Sequence, residues 1–210
     1  MLDKRDQILE AAEELFAQKG FEGTSVRDLA KKAKVNVAMI SYYFGSKEKL
    51  FESLVEYRAA FLREKLQLIN REEVLDPLSK IEMLIDFYVD RITSQSRFSR
   101  ILHRELSLQQ RSEMHNAIAD IILRNAHEMR KIIQDGIRKK VFRKMDAEML
   151  IATLVGTTMQ ATNSKEMVCK LIGSDPQKFS FNDTRYKNRL KNYLKDLMRT
   201  TLLYSKKQSA

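Results

Sequence analysis

The chain of 210 residues contains no tryptophan, a single cysteine, two prolines and six glycines. Each scarcity excludes something. One thiol, Cys169, cannot form an internal disulfide, and such usage fits a reducing, cytoplasmic setting. Few prolines and glycines leave few breaks for strands and turns. The abundant residues, Ala, Leu, Lys, Glu, Arg, Ile and Met, are mostly good helix formers, so an all-α protein is expected. The start, Met1-Leu2-Asp3-Lys4-Arg5-Asp6, lacks the continuous apolar core of a signal peptide. The uncharged stretch 150–164 is too short, and too rich in Thr, Gln and Asn, to span a bilayer. No membrane partner is expected.

Catalytic patterns are missing as well. No Ser-His-Asp arrangement, phosphate-cradling glycine loop or pair of catalytic acids stands out. His103, His115 and His127 are twelve residues apart, a spacing that does not converge three imidazoles on a helix. Cys169 has no nearby His or second Cys and reads as a buried apolar thiol. The expectation is therefore no enzyme, no cofactor and no metal.

What is present is positive charge and helical periodicity. Thirty-eight Lys and Arg against twenty-eight Asp and Glu give a net charge of +10, a surplus that draws a chain toward polyanions such as nucleic acid. Asp3 is placed to cap a first helix carrying Ile8, Leu9, Ala12, Leu15 and Phe16, which Gly20 ends. Ser25-Val26-Arg27-Asp28 reads as a capping box for a second helix of about two turns. Asn36 caps a third, running from Val37 to Phe44. Ser46 caps a long fourth helix that reaches about Ile69.

Beyond it, Asp76-Pro77 opens another helix. Its stripe is Ile81, Leu84, Ile85, Tyr88, Val89 and Ile92. Further stripes follow at Phe98, Ile101, Leu102 and Leu106, from Met114 to Ile137 with a break near 110–112, and from Leu150 to Met159 after an Asp146 cap. The last helix, about 183–204, places Tyr186, Leu190, Tyr193, Leu194, Leu197 and Thr201 on one side. Its cations (Arg185, Lys187, Arg189, Lys191, Lys195 and Arg199) are expected on a solvated face. Asp86, Asp90 and Glu105 also read as solvated carboxylates. Met83, Phe87, Met114, Met129 and Met159 suit an adaptable apolar pocket; core packing explains them equally well.

The sharpest signal is residues 24–47, two short helices joined by a tight turn and flanked by supporting helices: a helix-turn-helix. In that motif the second helix enters the major groove and its N-terminal residues face the base edges. Between Lys19 and Lys49 lie seven basic residues against three acidic ones, where a phosphate backbone would run.

This region resembles the tetracycline-repressor (TetR) family. The matching runs are Arg5-Asp6-Gln7-Ile8-Leu9-Glu10-Ala11-Ala12, Phe16-Ala17-Gln18-Lys19-Gly20-Phe21, Thr24-Ser25-Val26-Arg27-Asp28-Leu29-Ala30, and Ile40-Ser41-Tyr42-Tyr43-Phe44-Gly45-Ser46-Lys47-Glu48-Lys49-Leu50-Phe51. Farther along, Gly136-Ile137-Arg138-Lys139-Lys140-Val141-Phe142 is similar too.

The resemblance implies a cytoplasmic DNA-binding transcriptional regulator, a ligand-released repressor that reads palindromic double-stranded DNA as a homodimer. It also implies a small-molecule effector of unknown identity, bound between the helices of residues 77–140. Carried over position by position, Thr24, Tyr42, Tyr43 and Lys47 would hold phosphates. Arg27, Asn36, Val37, Ala38 and Met39 would lie nearest the bases. The chain departs from the family at Lys34, where glycine is usual, and at Ser41, where tyrosine is frequent. The expected division is a three-helix reading head, 1–48, and a helical sensing and dimerisation domain, 49–210. The Ala152 and Gly156 pair, with Leu190, Leu194, Leu197 and Thr201, suits an intermolecular four-helix bundle. The alternative is a DNA-bound activator or a ligand-independent DNA-binding protein.

Overall fold

The computed structural model describes residues 3–108 and 112–204. Among them are ten helices and no strand. In chain order they are α1 (Lys4–Lys19), α2 (Val26–Ala33), α3 (Val37–Phe44), α4 (Lys47–Arg71), α5 (Pro77–Ser94), α6 (Ser96–Leu108), α7 (Ser112–Arg138), α8 (Ala147–Asn163), α9 (Lys165–Ile172) and α10 (Thr184–Leu202). The expected break at 110–112 falls at Gln110 and Arg111, outside the described residues.

Local capping sets most of the boundaries. The Asp76, Asp146 and Asp183 side chains accept from the first-turn N–H groups of α5, α8 and α10, each satisfying donors that the helix itself leaves open. Ser46 does the same for Lys49 of α4. Asp3 occupies the N-cap position of α1 but makes no side-chain cap bond. At the end of α7, Gly136 makes room for Phe142: a Cβ there would lie 2.1 Å from the ring.

The helices form two compact units, Met1–Phe61 with Arg97–Leu123, and Leu62–Ser96 with Arg124–Ala210. Helices α4 and α7 each contribute to both. The first unit buries Ile8, Phe16, Leu29, Ile40, Phe51 and Leu54 against Phe98 and Ile101 of α6 and Met114, Ile118 and Ile121 of α7. Arg104 of α6 donates to the Phe16 carbonyl at the end of α1, at 3.0 Å. Residues 97–123 thus pack with the first four helices in one compact unit. Met114, grouped by sequence with a sensing pocket, belongs to this core.

The second unit centres on α5, α8 and α10. Leu84, Ile85, Val89, Leu150 and Leu154 meet Leu190, Leu194, Met198 and Leu202. The inward stripe of α10 therefore runs at every fourth residue from Leu190, and Tyr193 is exposed. Buried Thr158 and Thr162 satisfy their hydroxyls by donating to the Leu154 and Thr158 carbonyls one turn back. Cys169 is buried.

Beside the apolar seam, α5 and α10 are joined by a ladder of ion pairs. Glu82 meets Arg199 at 2.7 Å, Asp86 meets Lys195 at 2.7 Å, and Asp90 meets Lys191 at 2.7 Å and Lys187 at 3.8 Å. Carboxylates one turn apart on one helix thus face cations one turn apart on its antiparallel partner. This corrects the reading of both faces as merely solvated. Glu105 is likewise not solvated; it is 3% exposed and its carboxylate lies 3.3 Å from Arg104.

Two predictions follow from this packing. In a double-mutant cycle of Asp86→Ala and Lys195→Ala read by urea unfolding, the pair should show a coupling of roughly 0.2–1 kcal/mol that shrinks in high salt; no coupling at low salt would remove the ladder as a stabilising feature. Lys34, which ends α2, sits at φ 53° and ψ 46°, a left-handed conformation that costs a side-chain-bearing residue about 1 kcal/mol. Lys34→Gly should therefore raise the thermal unfolding midpoint, and a lowered midpoint would contradict that strain.

Candidate nucleic-acid interface

The α2–α3 pair is built from its caps inward. Ser25 accepts from the Asp28 N–H while the Asp28 carboxylate accepts from the Ser25 N–H, completing the capping box. The Ser25 hydroxyl, followed by its backbone N–H, holds the Asp28 carboxyl below its usual range. Lys34 turns the chain, and the Val35 N–H reaches the Ala30 carbonyl at 3.0 Å. The Asn36 Oδ1 then accepts from Ala38 at 3.0 Å and starts α3. Leu29, Ala30, Ala33, Ile40 and Phe44 are buried, so the pair turns one apolar side inward.

An aromatic nest fixes this pair to its supports. The rings of Phe16 and Phe21 stack with centroids 5.3 Å apart, and Phe51 of α4 meets them edge-on at 5.5 and 5.6 Å. Lys47 lies 4.4 Å above the Phe21 ring. Its ammonium donates to the carbonyls of Phe21 at 3.0 Å and Thr24 at 3.1 Å. Two of its three protons are thereby committed to holding the α1–α2 connection, and one remains.

The nine residues singled out by sequence do not share one environment. Arg27, Asn36, Val37 and Ala38 are exposed along the outer side of α2 and the start of α3. Met39, Tyr43 and Lys47 are partly buried, while Tyr42 is 84% exposed. The Tyr42 and Tyr43 rings meet edge-on at 5.3 Å, and Tyr43 also packs on the core. Thr24 differs from expectation. Its side chain is fully buried, and the hydroxyl donates to the Gly20 carbonyl at 2.7 Å. It has no exposed surface from which to reach a phosphate, and its role here is to close the α1–α2 connection.

The seven local cations also separate. Lys32 pairs with Glu14 at 2.7 Å, Lys19 with Asp28 at 3.6 Å, and Lys49 with Glu52 at 2.8 Å. Among the described residues no carboxylate pairs with Arg27, Lys31 or Lys34, all of them exposed. The uncommitted positive charge thus lies on α2 and the turn, beside the exposed start of α3. Counting residues showed the excess of charge but not which cations are already neutralised.

The arrangement is matched by known proteins. Residues 8–54 match the family of bacterial regulatory proteins named tetR, and residues 77–189 match the tetracyclin repressor-like C-terminal domain. The chain is 27% identical over 200 residues to the "Probable HTH-type transcriptional regulator YttP" of Bacillus subtilis (strain 168), covering 93% of this chain and 94% of that protein. It is 33% identical over 145 residues to the HTH-type transcriptional repressor NicS of Pseudomonas putida KT2440, 66% of each chain. Its fold is similar to that of FadR from Bacillus subtilis in complex with stearoyl-CoA, with a TM-score of 0.72 at 20% identity over 90% of this chain and 96% of that one. The paired motif, its capped helices and the helical domain that follows them place this chain in the TetR family of DNA-binding transcriptional regulators.

Proposed function

We propose that the protein is a ligand-released repressor that binds palindromic duplex DNA as a homodimer. The observation that carries the reading is the exposed edge of α2–α3, where Arg27, Lys31 and Lys34 have no carboxylate partner among the described residues and Tyr42 stands 84% exposed. In a major groove, Arg27 and Asn36 would read base edges, while Val37, Ala38 and Met39 would contact thymine methyls. Tyr42, Tyr43 and the remaining proton of Lys47 would hold phosphates, with Lys31 and Lys34 adding sequence-independent attraction.

The homodimer is supported by an unpartnered face on α8. Met149 is 61% exposed, Ala152 and Gly156 follow at one-turn spacing, and Tyr193 of α10 is 57% exposed. A Cβ on Gly156 would meet nothing within 4 Å, so the chain's own packing does not require glycine there. Close approach of a second copy gives that residue a purpose.

Release requires an effector that favours a dimer whose heads no longer match successive major grooves, about 34–36 Å apart. The complex of FadR with stearoyl-CoA supports a small molecule as the signal.

Duplexes selected from a random library should carry inverted repeats with half-sites about 10–10.5 base pairs apart, or a multiple; a selection without symmetry would overturn the dimeric reading. By fluorescence anisotropy, Tyr42→Ala should weaken binding roughly tenfold, the worth of about one hydrogen bond to a charged group. Lys31→Ala and Lys34→Ala should each lower the salt slope by about 1, and unchanged binding in all three would sink the interface. Gly156→Leu should leave helicity intact while shifting the mass seen by light scattering from twice 24.6 kDa to 24.6 kDa; a dimer that persists would move the interface elsewhere.

A further inference from the structure

The second unit contains a polar cleft unrelated to the α2–α3 edge. It has a volume of about 580 Å³ and lies among the end of α4, the start of α5 and the last turns of α7. Lys80 forms part of its wall although the residue is only 5% exposed. The Lys80 ammonium donates to the Asn70 backbone carbonyl at 3.0 Å, and no carboxylate pairs with it among the described residues. A buried ammonium held by one neutral carbonyl is poorly compensated, because desolvation of the charge is offset only by good pairing.

Its neighbours are arranged differently. Lys131 pairs with Glu128 at 2.8 Å, and Glu128 in turn accepts from the Asn70 side chain at 2.9 Å. Asp135 holds both Arg138 and Lys139, the latter at 2.9 Å. These two cations are exposed at their tips, and they are tethered by one carboxylate between them. The wall carries four cations (Lys80, Lys131, Arg138 and Lys139) against the two carboxylates of Glu73 and Asp135.

We infer that this cleft is an anion site for a phosphorylated small molecule, with Lys80 as its buried anchor and Arg138 and Lys139 as its closing arms. A monocarboxylate would offer Arg138 and Lys139 no more than Asp135 already does. A phosphoryl group carries a charge of about −1.5 to −2 and three acceptor oxygens, enough to accept from the Lys80 ammonium and the planar Arg138 fork together. The volume admits more than a bare phosphate and lies within the usual range for small-molecule sites. The inference is independent of how the chain meets DNA.

The test is calorimetric titration of the full-length protein with inorganic pyrophosphate and, separately, with ADP, at low ionic strength. One saturable site per chain is expected. Lys80→Met should weaken it at least tenfold, with circular dichroism checking the fold. Asp135→Asn supplies a second signature, since it frees Arg138 and Lys139 and should tighten binding severalfold. Tighter binding of ADP supports an esterified ligand, and tighter binding of pyrophosphate an inorganic one. Absence of saturable binding in both titrations, or an affinity that Asp135→Asn does not raise, overturns the proposal.

Discussion

The stacking of Phe16, Phe21 and Phe51 beneath the Lys47 ammonium is the constraint on which the interface rests. The three rings come from α1, the connection after it and α4, so they join three elements at one corner of the core. Each such aromatic pair adds about 0.5–1.5 kcal/mol beyond its buried area. Lys47 and Thr24 then satisfy the polar groups of the connection: the ammonium covers the Phe21 and Thr24 carbonyls, and the Thr24 hydroxyl covers that of Gly20. With that corner rigid, α2 and α3 need only a modest apolar face to stay in place. Among their outer residues Asn36 caps α3 and Tyr43 packs on the core, while Arg27, Lys31 and Lys34 stay exposed without a carboxylate partner among the described residues.

Charge is handled in two contrasting ways. Along α5 and α10, cations and carboxylates neutralise one another in register. On α2 and its turn, Arg27, Lys31 and Lys34 are left uncompensated and exposed. A surplus of +10 is thus not spread evenly in its consequences. The cations that matter for a polyanion are those that the fold has not already engaged.

Features governed by nearest neighbours in sequence were legible. Ser25, Asn36 and Asp146 cap helices as expected, and Asp76 and Asp183 do so too, because a short polar side chain finds its partner two or three residues away. The α2–α3 motif was legible for the same reason. Helix α9 was not singled out, since eight residues burying only Val168 and Cys169 give little periodicity; its Ser164 cap and Gly173 stop were the available signals. The inward face of α10 was misplaced because Tyr193 and Leu197 fit a helical stripe as well as Met198 and Leu202 do, and only the neighbouring helices decide between them. The ladder between α5 and α10 depends on residues about a hundred positions apart. Thr24 was misjudged because a hydroxyl suits a phosphate and a buried carbonyl equally well.

The participation of residues 97–123 in the first unit bears on how such regulators diversify. Phe98, Ile101, Met114 and Ile118 close the core beneath the reading helices, yet they lie some fifty to seventy positions beyond the motif in the chain. A gene fusion that joined only the first fifty codons to a new sensor would strand that core without its far wall. Recombination between regulators must therefore carry two separated stretches together, or find a recipient whose own α6 and α7 already complement the incoming head. Inheritance of a new operator preference is in this way tied to compatible packing at a distant stretch of the gene.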